Sequence, residues 1–132
     1  MKKIVITGGI GYIGTELCKI YSGYSWNDKV TIIDNRFISE RVNQLRNWNM
    51  NFVHGDILDK DLIKKYCSDA DVIHHLAGIT AVPRVQSEAS EEKEKEIERV
   101  AKEGTQNILD VVSNTCKIIM PSTHVVYEGM KD

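Results

Sequence analysis

The sequence, 132 residues long, predicts an α/β fold: a doubly wound parallel sheet of five strands in the order 3-2-1-4-5, with helices on both faces. Two observations carry that prediction. Strand and helix signals alternate from end to end, a pattern that requires a parallel sheet with right-handed crossovers. The first crossover also opens on glycines spaced three apart, Gly8, Gly11 and Gly14, directly after the apolar run Lys3-Ile4-Val5-Ile6-Thr7. A strand that breaks into such a turn and then into an amphipathic segment marks the sheet as Rossmann-type.

Each element follows in order. Residues 3–7 read as the first strand and 12–22 as a helix with Ile13, Leu17 and Ile20 on one face. Residues 29–34 form the second strand, Val30-Thr31-Ile32-Ile33 ending in Asp34, and 38–48 a helix with Val42, Leu45 and Trp48 inward. Asn51-Phe52-Val53-His54 is a short third strand that stops at Gly55-Asp56; 58–67 is a helix with Leu58, Leu62 and Ile63 on one face. Asp71 to Leu76 is the fourth strand, running into Ala77-Gly78. A long helix then ends near Ser113, and Lys117-Ile118-Ile119-Met120 is the fifth strand, closed by Pro121. The long helix has two parts. Ser87 to Glu96 is almost entirely charged or small and reads as a solvated face or mobile loop, in preference to a partner surface. Ile97, Val100, Ala101, Ile108, Val111 and Val112 then keep helical spacing.

The chemistry concentrates at the ends of the first two strands. Gly8 and Gly9 allow a sharp turn closed to residues with a Cβ. A side chain at Gly11 would stand where a pyrophosphate must approach, and Gly14 lets the helix pack closely on the sheet. The free N–H groups of Tyr12 and Ile13 in the first helical turn, with the helix dipole, favour phosphate there. Asp34, twenty residues after Gly14, is placed to accept hydrogen bonds from both ribose hydroxyls of an adenosine, which favours NAD over NADP. Arg36 moderates that preference, because an arginine beside the ribose can pair with a 2′-phosphate.

Composition bounds the rest. The chain is 42% hydrophobic and 27% charged with net charge −2, so no basic surface for nucleic acid is expected and no apolar run is long enough for a membrane span. No linker or repeat divides it, and 1–132 is read as one domain. Cys18, Cys67 and Cys116 are odd in number and scattered, as expected of reduced thiols in a cytoplasmic protein. His74 and His75 adjoin in a strand and so point to opposite faces. His54 and His124 sit at strand ends with no Cys or carboxylate at ligand spacing, so no metal site is expected. Cys18 and the tryptophans Trp26 and Trp48 read as packing groups.

These residues resemble the extended short-chain dehydrogenase/reductase family, in particular its NAD-dependent nucleotide-sugar epimerases and dehydratases. Thr7-Gly8-Gly9-Ile10-Gly11-Tyr12-Ile13-Gly14 is similar to the family's T-G-G-x-G-Y-I-G, and Asp34-Asn35 to its ribose-binding pair. Gly55-Asp56-Ile57 resembles the turn whose acidic side chain meets the adenine amino group while the next residue packs on the ring. His75-Leu76-Ala77-Gly78 resembles the segment beside the cofactor ribose and phosphates, with Thr80 just beyond, and Ala81-Val82-Pro83-Arg84 continues the similarity. Gly104-Thr105-Gln106-Asn107-Ile108-Leu109 resembles G-T-x-N-L-L, and Pro121-Ser122-Thr123-His124-Val125-Val126-Tyr127 resembles the S-S-x-x-V-Y-G end of the fifth strand. Thr123 then stands at the catalytic Ser/Thr position.

The resemblance implies reversible hydride transfer between a sugar carbon and nicotinamide, with a Y-x-x-x-K tyrosine taking the hydroxyl proton and its lysine depressing the tyrosine pKa. That pair lies on a helix beyond the fifth strand. Tyr127-Glu128-Gly129-Met130-Lys131 spells the pattern, but Tyr127 occupies the V-Y-G position. Ala101 stands where the family carries an asparagine near the cofactor. The expectation is therefore an NAD-binding domain, truncated before the catalytic helix and substrate domain. A stand-alone NAD-binding regulatory or scaffolding module, or a remnant that binds nothing, is the other reading. A nucleotide-sugar is the expected second ligand of a longer chain, and a homodimer through the fifth-strand edge or the long helix the expected assembly.

Overall fold

The computed structural model describes residues 2–24, 29–77 and 88–120. Nine elements follow one another: β1 (Lys3–Thr7), α1 (Tyr12–Tyr24), β2 (Lys29–Asp34), α2 (Ser39–Asn47), β3 (Asn51–His54), α3 (Lys60–Cys67), β4 (Val72–His75), α4 (Glu88–Val111) and β5 (Lys117–Ile119). The strands form one sheet in the order β3-β2-β1-β4-β5, every neighbouring pair parallel, as the alternation predicts.

The sheet is buried on both sides, which is why β1 and β2 are nearly continuous in apolar residues. Alternation along β1 divides the core in two. Ile4 and Ile6 join Ile32, Cys18 and Leu45 beneath α1 and α2. Val5 joins Ile33, Ile63, Ile73 and Ile108 beneath α3 and α4. Val42 and Leu45 are buried as the sequence predicts, and Trp48 packs at the margin of the first cluster. Trp26 lies outside the described residues.

One predicted face is wrong. Ile13 and Ile20 are 45% and 56% exposed, whereas Gly14 and Cys18 are buried and Leu17 and Tyr21 half-buried. The cause is Gly14: a Cβ there would lie 2.5 Å from Gly9 Cα, so α1 turns its glycine onto the β1 turn and carries the isoleucines away from the sheet.

Helix ends have local causes. α2 stops at Trp48, after which Asn49 takes a left-handed conformation (φ 63°). The Asn49 and Met50 N–H groups return to Arg46 O and Leu45 O, a Schellman closure that suits asparagine. α3 starts later than predicted because Asp59 caps it, its carboxylate accepting from Leu62 N at 3.2 Å. In α4, Arg99 bridges the exposed Glu96 and Glu103, surface pairs that solvent screens. The side chains of residues 88–94 and Ile97 lie outside the described ones.

Gly104 is where α4 meets the wall below β3. A Cβ there would sit 2.2 Å from Ile57 Cδ1 and 2.7 Å from its Cγ1. Gly104→Val is expected to lower unfolding free energy by about 2 kcal/mol, read as an earlier urea midpoint with an unchanged m value.

Candidate functional site

The strands β1 to β4 end together at a cleft of about 550 Å³, and the glycine turn forms its floor. Gly8 has φ +72°, its N–H bonds Ile33 O at 2.7 Å, and a Cβ would come within 2.9 Å of Ala77 N. Gly9 differs from the sequence expectation. Its φ is not left-handed, and glycine is needed because a Cβ would lie 2.3 Å from Ile32 Cγ2. Gly11 closes the turn onto Gly8 O and accepts from Thr15 N and Thr15 Oγ1. Tyr12, Ile13 and Gly14 line the cleft with the first turn of α1, whose early N–H groups have no intrahelical partner.

β2 delivers Asp34, Asn35 and Arg36 to the opposite wall, and Asp56 and Ile57 follow from the end of β3. The Asp34 side chain is buried. Its Oδ2 accepts from Ile10 N and Arg36 Nη2, both at 3.3 Å, and its Oδ1 from Arg36 N at 2.9 Å and Arg36 Nε at 3.3 Å. Asn35 accepts at its carbonyl from His54 Nε2 at 3.0 Å, so that histidine belongs to the wall's support. Asp56 is exposed and holds its turn by accepting from Leu58 N. Ile57 is buried and accepts from Asn107 Nδ2 at 2.9 Å.

Leu76 and Ala77 complete the cleft, and a buried relay fixes them. Both N–H groups donate to Thr7 Oγ1, at 3.1 and 3.2 Å. With its lone pairs so used, the Thr7 hydroxyl donates to His75 Nδ1 at 2.7 Å, and His75 Nε2–H donates to Thr105 Oγ1 at 3.0 Å. Burial holds the His75 pKa down at about 4. His74 points to the other face, against Tyr21 (Nε2 to the hydroxyl 2.6 Å), and burial lowers its pKa too. Burial pushes the Cys18 thiol up to about 12, which makes it the packing group the sequence predicts.

Of the residues singled out in the sequence, Gly8, Gly11, Tyr12, Ile13, Gly14, Asp34 and Asn35 lie around this one cleft, as do Arg36, Asp56, Ile57, Leu76 and Ala77. Gly78, Thr80 and Thr123 lie outside the described residues, as do Pro83, Arg84, His124, Tyr127 and Lys131. Sequence reasoning missed the role of two supports. Arg41, on α2, donates from Nη1 to Ile10 O, and no local signal marks it. Asn107 falls within the motif Gly104-Thr105-Gln106-Asn107, but its hold on Ile57 O is defined only by the fold. Among the described residues no group of three or more His, Cys, Asp or Glu side chains is placed to hold a metal, and no helix is long and apolar enough to cross a membrane.

A left-handed glycine turn, an open helix N-terminus and a buried carboxylate at the tip of the second strand are the features of the dinucleotide-binding class of Rossmann fold. The profile of the 3-beta hydroxysteroid dehydrogenase/isomerase family matches residues 5–131. The chain belongs to that family, within the epimerase and dehydratase branch of extended short-chain dehydrogenase/reductases. It is 32% identical over 130 residues to the UDP-N-acetyl-alpha-D-glucosaminuronate decarboxylase of Bacillus cytotoxicus, covering 96% of this chain and 38% of that protein. To the UDP-glucose 4-epimerase of Yersinia enterocolitica it is 34% identical, over 94% of this chain and 38% of the relative. The structure of the Bifidobacterium longum UDP-glucose 4-epimerase, in complex with NAD+ and UDP, superposes with a TM-score of 0.74 at 27% identity, over 94% of this chain and 38% of that one. The chain thus spans well under half the length of these relatives.

The His75 relay has a pH consequence. Unfolded, the imidazole takes a proton near its ordinary 6.5; folded, it resists until about 4. The unfolded state therefore binds more protons between those values, and stability present above pH 6.5 is lost as pH falls. The loss should approach 3 kcal/mol near pH 4, roughly 1.4 kcal/mol per unit. His75→Gln should flatten that part of the stability profile measured by urea unfolding from pH 7 to 4.

Proposed function

We propose that this chain is the NAD(H)-binding part of an oxidoreductase-type nucleotide-sugar epimerase or dehydratase. The observation that carries the reading is Asp34: a buried carboxylate, held by the backbone N–H groups of Ile10 and Arg36, beside a turn in which a Cβ at Gly11 would protrude into the cleft. The fit to a dinucleotide is specific. The open α1 N-terminus suits the pyrophosphate, Asp34 and Asn35 the adenosine ribose, Asp56 and Ile57 the adenine edge and face, and Leu76 and Ala77 the cofactor ribose and phosphates; Gly78 and Thr80 join them on the family resemblance alone. When bound, NAD supplies hydride exchange with a sugar carbon.

Thr123 is assigned to hydrogen-bond the reacting oxygen. Residues 1–132 are proposed to bind and orient the cofactor. Three free thiols, two of them buried, support a reducing, cytoplasmic setting. Pairing of two copies through the β5 edge or α4 belongs to the same proposal, supported by the exposed Ile119 and Met120.

Calorimetric titration with NAD tests the reading: saturable binding is expected, and its absence from folded protein would reject it. Asp34→Ala should weaken NAD at least tenfold, the loss of charge-assisted hydrogen bonds to the ribose. The glycines should separate by phenotype. Gly11→Val, whose Cβ meets only Arg36 Nη2 at 3.1 Å and Gly8 O at 3.3 Å, should stay folded and lose NAD binding. Gly14→Ala, which meets backbone at 2.5 Å, should lose about 2 kcal/mol of stability in thermal or urea unfolding.

A further inference from the structure

The carboxylate of Asp34 has no acceptor position left. A carboxylate offers about four lone-pair sites. Backbone N–H groups of Ile10 and Arg36 use one on each oxygen, and the Arg36 side chain uses the other on each, Nε on Oδ1 and Nη2 on Oδ2. The backbone bonds position the carboxylate. The side-chain bonds are a two-pronged donor set laid across both oxygens, the pattern that the two hydroxyls of a ribose present. Arg36 Nη2 also lies over Gly11, within 3.1 Å of where a Cβ would be, in the path of the phosphates.

From this we propose that Arg36 is a specificity-determining plug. In the free protein its guanidinium stands in for the adenosine ribose. On cofactor entry it yields both carboxylate oxygens and swings outward beside the ribose 2′ position, where it accepts either a hydroxyl or a 2′-phosphate as neighbour. The inference rests on the dinucleotide reading of the cleft and deepens it. Its physical basis is the contrast between the partners: the Asp34 side chain is 3% exposed and fixed, while that of Arg36 is 56% exposed and free to leave toward solvent. Arg41, the other arginine at the turn among the described residues, is committed to Ile10 O and stays.

Two effects follow. Binding of NAD competes with an internal ion pair, so the apparent affinity is lowered by the fraction of molecules in which Asp34 is open. A displaced guanidinium beside the 2′ position offsets the charge of Asp34, so NADP is penalised less than a lone carboxylate would dictate. Removal of the side chain should therefore move the two cofactors in opposite directions, which neither a structural role nor general attraction for phosphate would do.

The test is a calorimetric titration of the chain and its Arg36→Ala and Arg36→Lys variants with NAD and with NADP. All three should give the same circular dichroism spectrum, since Arg36 is at the surface. Arg36→Ala should bind NAD about fivefold more tightly and NADP at least tenfold more weakly than the unaltered chain. Arg36→Lys should retain NADP, because it keeps the charge without the fork. Unchanged or weaker NAD binding by Arg36→Ala, or an unchanged NAD-to-NADP ratio, would overturn the plug and leave the cofactor site standing. Failure of both dinucleotides to bind any of the folded proteins would remove the cofactor reading and the plug together.

Discussion

Among the described glycines, the closest approach of backbone to backbone is the seat of α1 on the turn that precedes it. At Gly14 the helix backbone approaches Gly8 and Gly9 so nearly that a single added carbon would fall 2.5–2.7 Å from their atoms. Everything at the cleft follows from that contact. It sets the rotation of α1, so that Cys18 and Tyr21 face the sheet and Ile13 faces the cleft. It also aims the open N-terminus of the helix across the ends of β1 and β2 toward Asp34. Packing and binding are thus one geometry: the absent side chain at 14 brings helix to sheet, and the absent side chain at 11 leaves the floor of the cleft bare.

Around that seat the walls are held by polar atoms that do not themselves enter the cleft. Thr7, His75 and Thr105 tie the ends of β1 and β4 to α4. Asn107 holds the carbonyl of Ile57, and Arg41 that of Ile10. Each satisfies a group that burial would otherwise leave costly, and no buried side-chain nitrogen or oxygen among the described residues lacks a partner. Preorganisation of this kind lets the lining stay mostly backbone and small side chains.

The sheet order, the places of the strands and the lining of the cleft were legible because they rest on local signals: alternation, glycine spacing, and an acidic residue at the end of an apolar run; β4 and β5 are shorter than the apolar runs at 71–76 and 117–120 that mark them. The face of α1 was not. Apolar spacing chose Ile13, Leu17 and Ile20, but the tight fit of Gly14 outweighed the burial of two isoleucines. Gly9 illustrates the same limit, since its requirement comes from Ile32, twenty-three positions away, rather than from its own backbone angles. Arg41 acts across 31 positions with no motif to report it, and Asn107 falls in a motif that does not report its partner 50 positions away. Asp34 was recognised for its charge and place, yet its engagement with Arg36 depends on side-chain geometry that only the folded chain defines.

The Thr7 clasp also imposes an order on synthesis. It joins residues 69 and 70 positions apart, and Asn107 reaches back 50 positions to Ile57. A growing chain that has made β1 through β3 therefore holds the glycine turn and Asp34 but not the lock on their far wall. That lock waits for β4 and the second half of α4 to leave the ribosome. Until then the turn rests on α1, α2 and β2 with no hold on its far side, so the cleft is a late product of translation built on the first residues translated.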